Sequence, residues 1–253
     1  MLLACDNRAL IEPRRRKGES LLPSRALIII VPEDLEEFVS LLNCRRSRSL
    51  FLSNVYQPEN HEEFCIVGPL LGAPQAAMVI EKLVVLGVRE IVALGWAGSL
   101  QDYVKIGDVV VPTGAYSEEG TTAHYLPSDS LPRMILPCQA PIGISTLVDK
   151  LVLSGLNVHK GFVWTTDAPY RETVGKVLFY QNRGVLAVDM ETSALFGVAR
   201  FRGVSLGVLL MISDNLSRLK WKPGMKSDEF SRTRKILLKS LSDFIEEQIS
   251  VEQ

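Results

Sequence analysis

The chain has 253 residues, 47% hydrophobic and 23% charged, with a formal net charge of -1, the composition of an ordinary globular protein. That balance gives no electrostatic basis for binding nucleic acid or an anionic membrane, and no apolar run reaches bilayer-spanning length. Four scattered cysteines (Cys5, Cys44, Cys65, Cys138) form no paired motif and no signal-peptide pattern is present, so reduced thiols and a cytoplasmic location are expected.

At this length one α/β domain over residues 1–253 is expected, because a single core of this size is comfortable and two are not. Residues 1–24 read as an irregular arm, with Arg14-Arg15-Arg16-Lys17 as solvated surface charge. Ala26 to Val31 is an apolar run of strand length, and Asp34 to Leu42 a helix. Phe64 to Pro69 is a second strand, in which Cys65 is a small core residue. Gly72-Ala73-Pro74 leads into an amphipathic helix from Gln75 to Leu86, ended by Gly87. A third strand, Glu90 to Gly95, enters the segment Gly95-Trp96-Ala97-Gly98-Ser99, which reads as a turn. Asp108 to Pro112 is a strand, Gly143 to Leu153 a helix, Lys160 to Thr165 a strand and Arg171 to Gln181 a helix. Gly184 to Asp189 is the next strand, a helix follows Glu191, and Leu206 to Ile212 is a strand apolar on both faces. Trp221-Lys222-Pro223-Gly224 is a turn, and Asp228 to Gln248 an amphipathic closing helix. Alternating strands and helices predict a mostly parallel sheet covered on both faces.

Two acids stand out. Glu191, in Val188-Asp189-Met190-Glu191, opens a helix, and Asp214, in Ile212-Ser213-Asp214-Asn215, ends a buried strand. Open α/β sheets place ligands at such strand ends. One carboxylate can grip a sugar hydroxyl while the other handles a proton. Each also has a plain structural reading, Glu191 as an acid favouring a helix N-terminus and Asp214 as a turn cap. The three histidines (His61, His124, His159) are dispersed, so neither a metal nor an organic cofactor is expected.

Six short segments in order resemble the nucleoside phosphorylase superfamily, which includes purine nucleoside phosphorylases, uridine phosphorylases and related nucleosidases. They are Gly72-Ala73-Pro74, Gly95-Trp96-Ala97-Gly98-Ser99, Lys105-Ile106-Gly107-Asp108-Val109-Val110, Thr165-Thr166-Asp167-Ala168-Pro169-Tyr170, Val188-Asp189-Met190-Glu191 and Ser213-Asp214-Asn215. The resemblance implies a three-layer α/β/α fold with a mixed, partly barrel-like sheet, and a cytoplasmic homo-oligomer, dimer or hexamer. It also implies that Glu191 holds the ribose hydroxyls, Met190 packs beneath the sugar, and Asp214 protonates a purine nitrogen as the bond breaks. Glycosidic cleavage passes through an oxocarbenium-like sugar, which a carboxylate on its hydroxyls stabilises. Val188 and Ser213 flank these residues, and Gly95 and Gly98 let the backbone approach the ligand. Pro169 stands where the family places an aromatic, leaving Tyr170, Trp164 or Trp96 to stack on the base. Glu118 to Tyr125 resembles a uridine phosphorylase-like segment, but the Gln-x-Arg pair that reads uracil is not found, and Asp214 favours a purine.

The departures concern phosphate. The family binds it with a Gly-Asp-Pro-x-x-Arg turn after the first strand, an Arg on the third strand and a nearby hydroxyl. Here Glu33 and Glu37 replace the Gly and Arg, Ala93 the strand Arg, and Trp96 the hydroxyl residue. Carboxylates repel a dianion. Arg46 or Arg48 can match a contact that the family takes from a neighbouring subunit, and Ser99 or a backbone nest can replace others. Three readings stay open: pentosyl transfer to phosphate as co-substrate, hydrolysis with Glu33, Glu36 or Glu37 activating water, and nucleoside binding without turnover.

Overall fold

Gly, Pro and polar residues punctuate the apolar runs, so each run forms one buried strand rather than a longer helix. The computed structural model describes residues 9–59, 63–126, 133–137 and 139–250. Cys5, His61, Cys138 and the first eight residues of the arm lie outside that set. In chain order come β1 (Arg25–Ile29), α1 (Pro32–Leu41), β2 (Arg45–Leu50), β3 (Ser53–Gln57), β4 (Phe64–Gly68) and α2 (Gly72–Val85). Next are β5 (Glu90–Ser99), β6 (Val109–Ser117), α3 (Thr122–Tyr125), β7 (Arg133–Ile135), α4 (Ile144–Leu153) and β8 (Val158–Thr165). A 3₁₀ turn (Pro169–Arg171), α5 (Val174–Gln181), β9 (Ala187–Asp189) and α6 (Thr192–Arg202) follow. β10 (Ser205–Asn215), β11 (Lys222–Pro223) and α7 (Asp228–Ser250) complete the order.

Five strands close into a mixed barrel. β10 runs parallel to β5 and antiparallel to β6, β6 and β9 each run parallel to β8, and β9 returns antiparallel to β5. From β5 the sheet continues outward through β1, β4, β3 and β2. Helices cover both faces. Leu35 and Phe38 of α1, Leu147 and Leu151 of α4, and Phe230 and Leu237 of α7 pack with Leu27, Ile29, Leu94 and Leu209. On the other face Ala76, Ile80 and Leu83 of α2 and Leu195 of α6 meet Ile28, Ile91 and Leu210. Phe38, Ile80 and Leu83 are wholly buried, each contributing about 1.5–3 kcal/mol of transfer free energy. The three-layer, partly barrel-like architecture is therefore the expected one.

Two expectations need correction. Gly95 to Ser99 is not a turn: these residues continue β5, hydrogen-bonded to β10 along one edge and, at Gly98 and Ser99, to β9. Glycine there serves close packing. A Cβ on Gly98 would lie 2.7 Å from Leu216 Cδ1 and 3.0 Å from Asp214 Oδ2. Asp214 stands at the carboxyl end of its strand as expected, beyond a bulge between Ile212 and Asp214, and bulges re-aim side chains. Lys222–Pro223, read as turn, pairs with Asp214 and Asn215 as β11. β2 and β3 also escape prediction, because Arg45-Arg46-Ser47-Arg48-Ser49 carries no apolar run and forms the sheet's exposed edge.

Candidate active site

A cavity of about 680 Å³ opens where β1, β5, β9 and β10 end, and both Glu191 and Asp214 line it. Asp189 first organises one wall. Its Oδ2 accepts hydrogen bonds from Thr192 N (2.8 Å), Thr192 Oγ1 (2.6 Å) and Glu191 N (3.2 Å), while Oδ1 accepts from Thr165 Oγ1 (2.7 Å). It caps the start of α6 and ties it to the end of β8. Glu191 is thereby held against the cavity, 6% exposed, and its Oε1 accepts the Gly72 amide at 2.6 Å. Gly72 opens α2 with φ +77°, a left-handed conformation that glycine adopts at little cost. Burial, then the neighbouring Asp189 charge, pushes Glu191 up to about 8. Burial raises Asp189 too, but its four donors favour the charge on Asp189 and the proton on Glu191.

The second acid of the cavity is Asp214. Its Oδ1 accepts from Ser213 Oγ at 2.7 Å, and its Oδ2 from Trp221 Nε1 at 3.0 Å. Met190, Val188, Pro169, Tyr170, Trp96, Gly98 and Ser213 also line the cavity, so most of the expected contacts gather in one place. Tyr170 is fully exposed at the mouth. The Trp96 indole packs edge-on against Phe230 and donates to Asp34 Oδ2 at 2.7 Å. Trp164 is elsewhere, stacked on Tyr180 and donating to Glu118.

Several predicted residues are not brought to the cavity. A Cβ on Gly95 would point at Ile30 and Leu210, inside the core. Ser99 Oγ is buried and bonded to the Gln101 and Val104 carbonyls. Arg46 bonds Ser49, and Arg48 reaches back to Ser20 and Glu19 in the arm, away from the site. Glu33, Glu36 and Glu37 lie exposed on α1 and do not line the cavity. Glu37 pairs with Arg234 of α7, which also meets the buried Asp34 and the Glu33 carbonyl. The first-strand corner is thus occupied by an internal ion-pair cluster. Glu119, in the uridine phosphorylase-like segment, accepts from Ser117, the Thr121 and Thr122 amides and Ser193. Burial works to raise it, yet these donors hold it below its ordinary range, which makes it a structural tie between β6 and α6.

The sequence reading missed Glu172, Trp221 and Leu216, which all line the cavity. Nearness to Tyr170 was the one signal for Glu172. Trp221 reaches Asp214 through the β10–β11 pairing, which no local pattern announces. Among the described residues lining the cavity, none is Lys, Arg or His, whereas Glu172, Asp189, Glu191 and Asp214 are acids. Among the described residues no group of three His, Cys, Asp or Glu is placed to hold a metal, and no helix is long and apolar enough to cross a membrane.

Comparison with known proteins bears on the family and the fold. A guanosine phosphorylase of Halorubrum lacusprofundi is 30% identical over 165 residues, 65% of this chain and 66% of that protein. A DeoD-type purine nucleoside phosphorylase of Bacillus cereus is 30% identical over 156 residues, 60% of this chain and 63% of that one. An uncharacterized mimivirus protein is 31% identical over 154 residues, 61% of this chain and 58% of its own. The alignments thus span under two thirds of these relatives. Among solved structures, purine nucleoside phosphorylase from Toxoplasma gondii in complex with immucillin-H superposes with TM-score 0.75 at 20% identity, covering 93% of this chain and 94% of that one. Uridine phosphorylase from Vibrio fischeri gives 0.72 at 20% identity over 88% and 92%. These last two show the shared fold. Residues 24–250 match the sequence profile of the phosphorylase superfamily, and the chain belongs to that family.

Proposed function

We propose that this protein cleaves the N-glycosidic bond of a purine nucleoside and transfers the pentosyl group to phosphate. The observation that carries the reading is that Glu191 and Asp214 line one cavity. Glu191 sits at the N-terminus of α6, where the helix dipole favours the anion. Ribose hydroxyls donating to it stabilise the same form, so substrate binding draws its proton off. As the C1′–N bond lengthens, the carboxylate on the hydroxyls offsets positive charge on the sugar. Asp214 delivers a proton to the purine imidazole nitrogen, and the base departs neutral. Met190 lies under the sugar and Tyr170 beside the base. The names of the Halorubrum and Bacillus relatives favour guanosine or a related purine nucleoside. In a cytoplasmic homo-oligomer, dimer or hexamer, a neighbouring subunit would supply the cation for phosphate.

A second reading rests on the cavity's own charge. With four acids and no Lys, Arg or His among its described lining residues, this cavity suits water better than a dianion as acceptor. Guanosine, inosine, adenosine and uridine, each incubated with and without phosphate, separate the readings. Purine release that requires phosphate and yields ribose 1-phosphate is the expected result. Equal release without phosphate replaces transfer by hydrolysis, and release from uridine alone removes the purine assignment. Nucleosides that bind yet stay intact leave a binding protein.

A further inference from the structure

The Asp214 carboxyl is engaged within the fold on both of its oxygens, Oδ1 accepting from Ser213 Oγ at 2.7 Å and Oδ2 from Trp221 Nε1 at 3.0 Å. Glu172 lines the same cavity. It follows the 3₁₀ turn at Pro169–Arg171, its amide tied to the Pro169 carbonyl, which sets the backbone at the cavity mouth. Its carboxyl accepts no hydrogen bond from the described residues.

We propose that Glu172 and Asp214 form a carboxyl–carboxylate pair, in which Glu172 carries the proton that Asp214 passes to the leaving base. This rests on the N-glycosidic cleavage proposed above. The groups facing Glu172 agree with it. Asp214 on β10 presents a like charge, and two neighbouring carboxyls ionise less readily together than apart. Lys176 on α5 is the opposing cation, but its ammonium is engaged by Glu118 at 2.6 Å. Asp189 and Glu191 line the same cavity and bring no cation to it. Burial first, then the Asp214 charge, raises Glu172 to about 7, so it keeps a proton near neutrality.

The C1′–N bonding pair moves onto the purine while the Glu172 O–H passes its proton to the Asp214 carboxylate and Asp214 passes one on to the imidazole nitrogen, leaving both acids ionised. The acceptor's nucleophilic oxygen bonds C1′, and a water acceptor then loses its proton to solvent. Solvent reprotonates Glu172 before the next turnover. Glu172 is then a positioning residue that acts through Asp214.

Glu172→Gln and Glu172→Asp, assayed with guanosine and with 7-methylguanosine, test the pair. The methylated base already carries positive charge on its imidazole ring and leaves without being protonated. In the wild type kcat for guanosine should fall as pH rises above about 7, where Glu172 loses its proton. Glu172→Gln should lower kcat for guanosine at neutral pH by about 10²-fold and remove that alkaline limb. Turnover of 7-methylguanosine should stay near wild type, which also shows the variant is folded, and Glu172→Asp should restore part of the limb. Wild-type kcat and an unmoved limb in Glu172→Gln overturn the pair. Equal losses on both nucleosides overturn it too, since they mark a merely structural role. A wild-type protein that cleaves neither nucleoside with any acceptor defeats the underlying function instead, and the pair with it.

Discussion

Asp34 and Glu191 are both almost fully buried carboxyls in the first turn or cap of a helix, and they are compensated in opposite ways. Asp34 meets the Arg234 guanidinium and the Trp96 indole, with Glu37 closing the other side of Arg234. Burial raises its affinity for a proton, and these partners hold the rise back. Glu191 has the Gly72 amide and a second acid, Asp189, beside it, so burial and like charge act together. The first arrangement is closed. The second leaves a desolvated carboxyl facing a cavity with its hydrogen-bonding capacity unfilled, which is where a ligand hydroxyl is worth most. The difference separates an acid that holds α1 to α7 from one available for chemistry.

Substitutions at the cavity should break the contrast most sharply. Asp214→Asn and Glu191→Gln are each expected to lower purine nucleoside turnover by about 10²–10⁴-fold, with the fold retained by circular dichroism. Turnover within a few-fold of wild type in either variant would take that residue out of the mechanism. Removing the partner of the closed acid acts on stability. Arg234→Met strands Asp34 in the core and should cost about 3 kcal/mol, the lower end for a broken buried pair because Arg234 keeps 21% of its side chain exposed. Denaturant unfolding measures this, and an unchanged midpoint would show the cluster to be incidental.

Smaller and more specific is the pH dependence. Glu191 has a folded-state value near 8 against an ordinary 4.5. The unfolded chain therefore ionises first, and its stabilising contribution, complete below about 4.5, is lost as pH rises toward 8. Unfolding free energy should decline across that window in the wild type and decline less in Glu191→Gln. Parallel curves would mean Glu191 is ionised in the native protein. Least of all, Glu33→Gln should shift stability by less than about 0.5 kcal/mol and leave kcat alone, since Glu33 is exposed outside the cavity. A marked fall in phosphate-independent turnover would restore it as a water-activating base.

Much of this was legible along the chain. Unbroken apolar runs such as Leu206 to Ile212 read as buried strands, because leaving them in water is costly and they are too short for a core helix. Glu191 and Asp214 could be singled out because each is an acid set where an apolar element starts or stops, and the motifs around them are local. The edge strand β2 was invisible, since an exposed strand needs no apolar alternation, and β3, paired between β2 and β4, holds only Val55 as an aliphatic. The segment from Gly95 to Ser99 looked like a turn because glycine marks turns and tight packing alike, and only the Leu216 and Asp214 side chains lying against Gly98 tell them apart.

The sequence by itself determined the layered α/β class, the family's short motifs and the identity of the two principal acids, all properties carried by residues near one another in the chain. Tertiary structure alone decided what those acids meet. Barrel closure between β5 and β10 brings Gly98 against Asp214. The pairing of β11 delivers Trp221 to the same carboxylate, and α7 carries Arg234 across 200 positions of sequence to Asp34. Charge compensation depends on distances of a few ångströms, and spacing along the chain does not encode which side chains arrive at them.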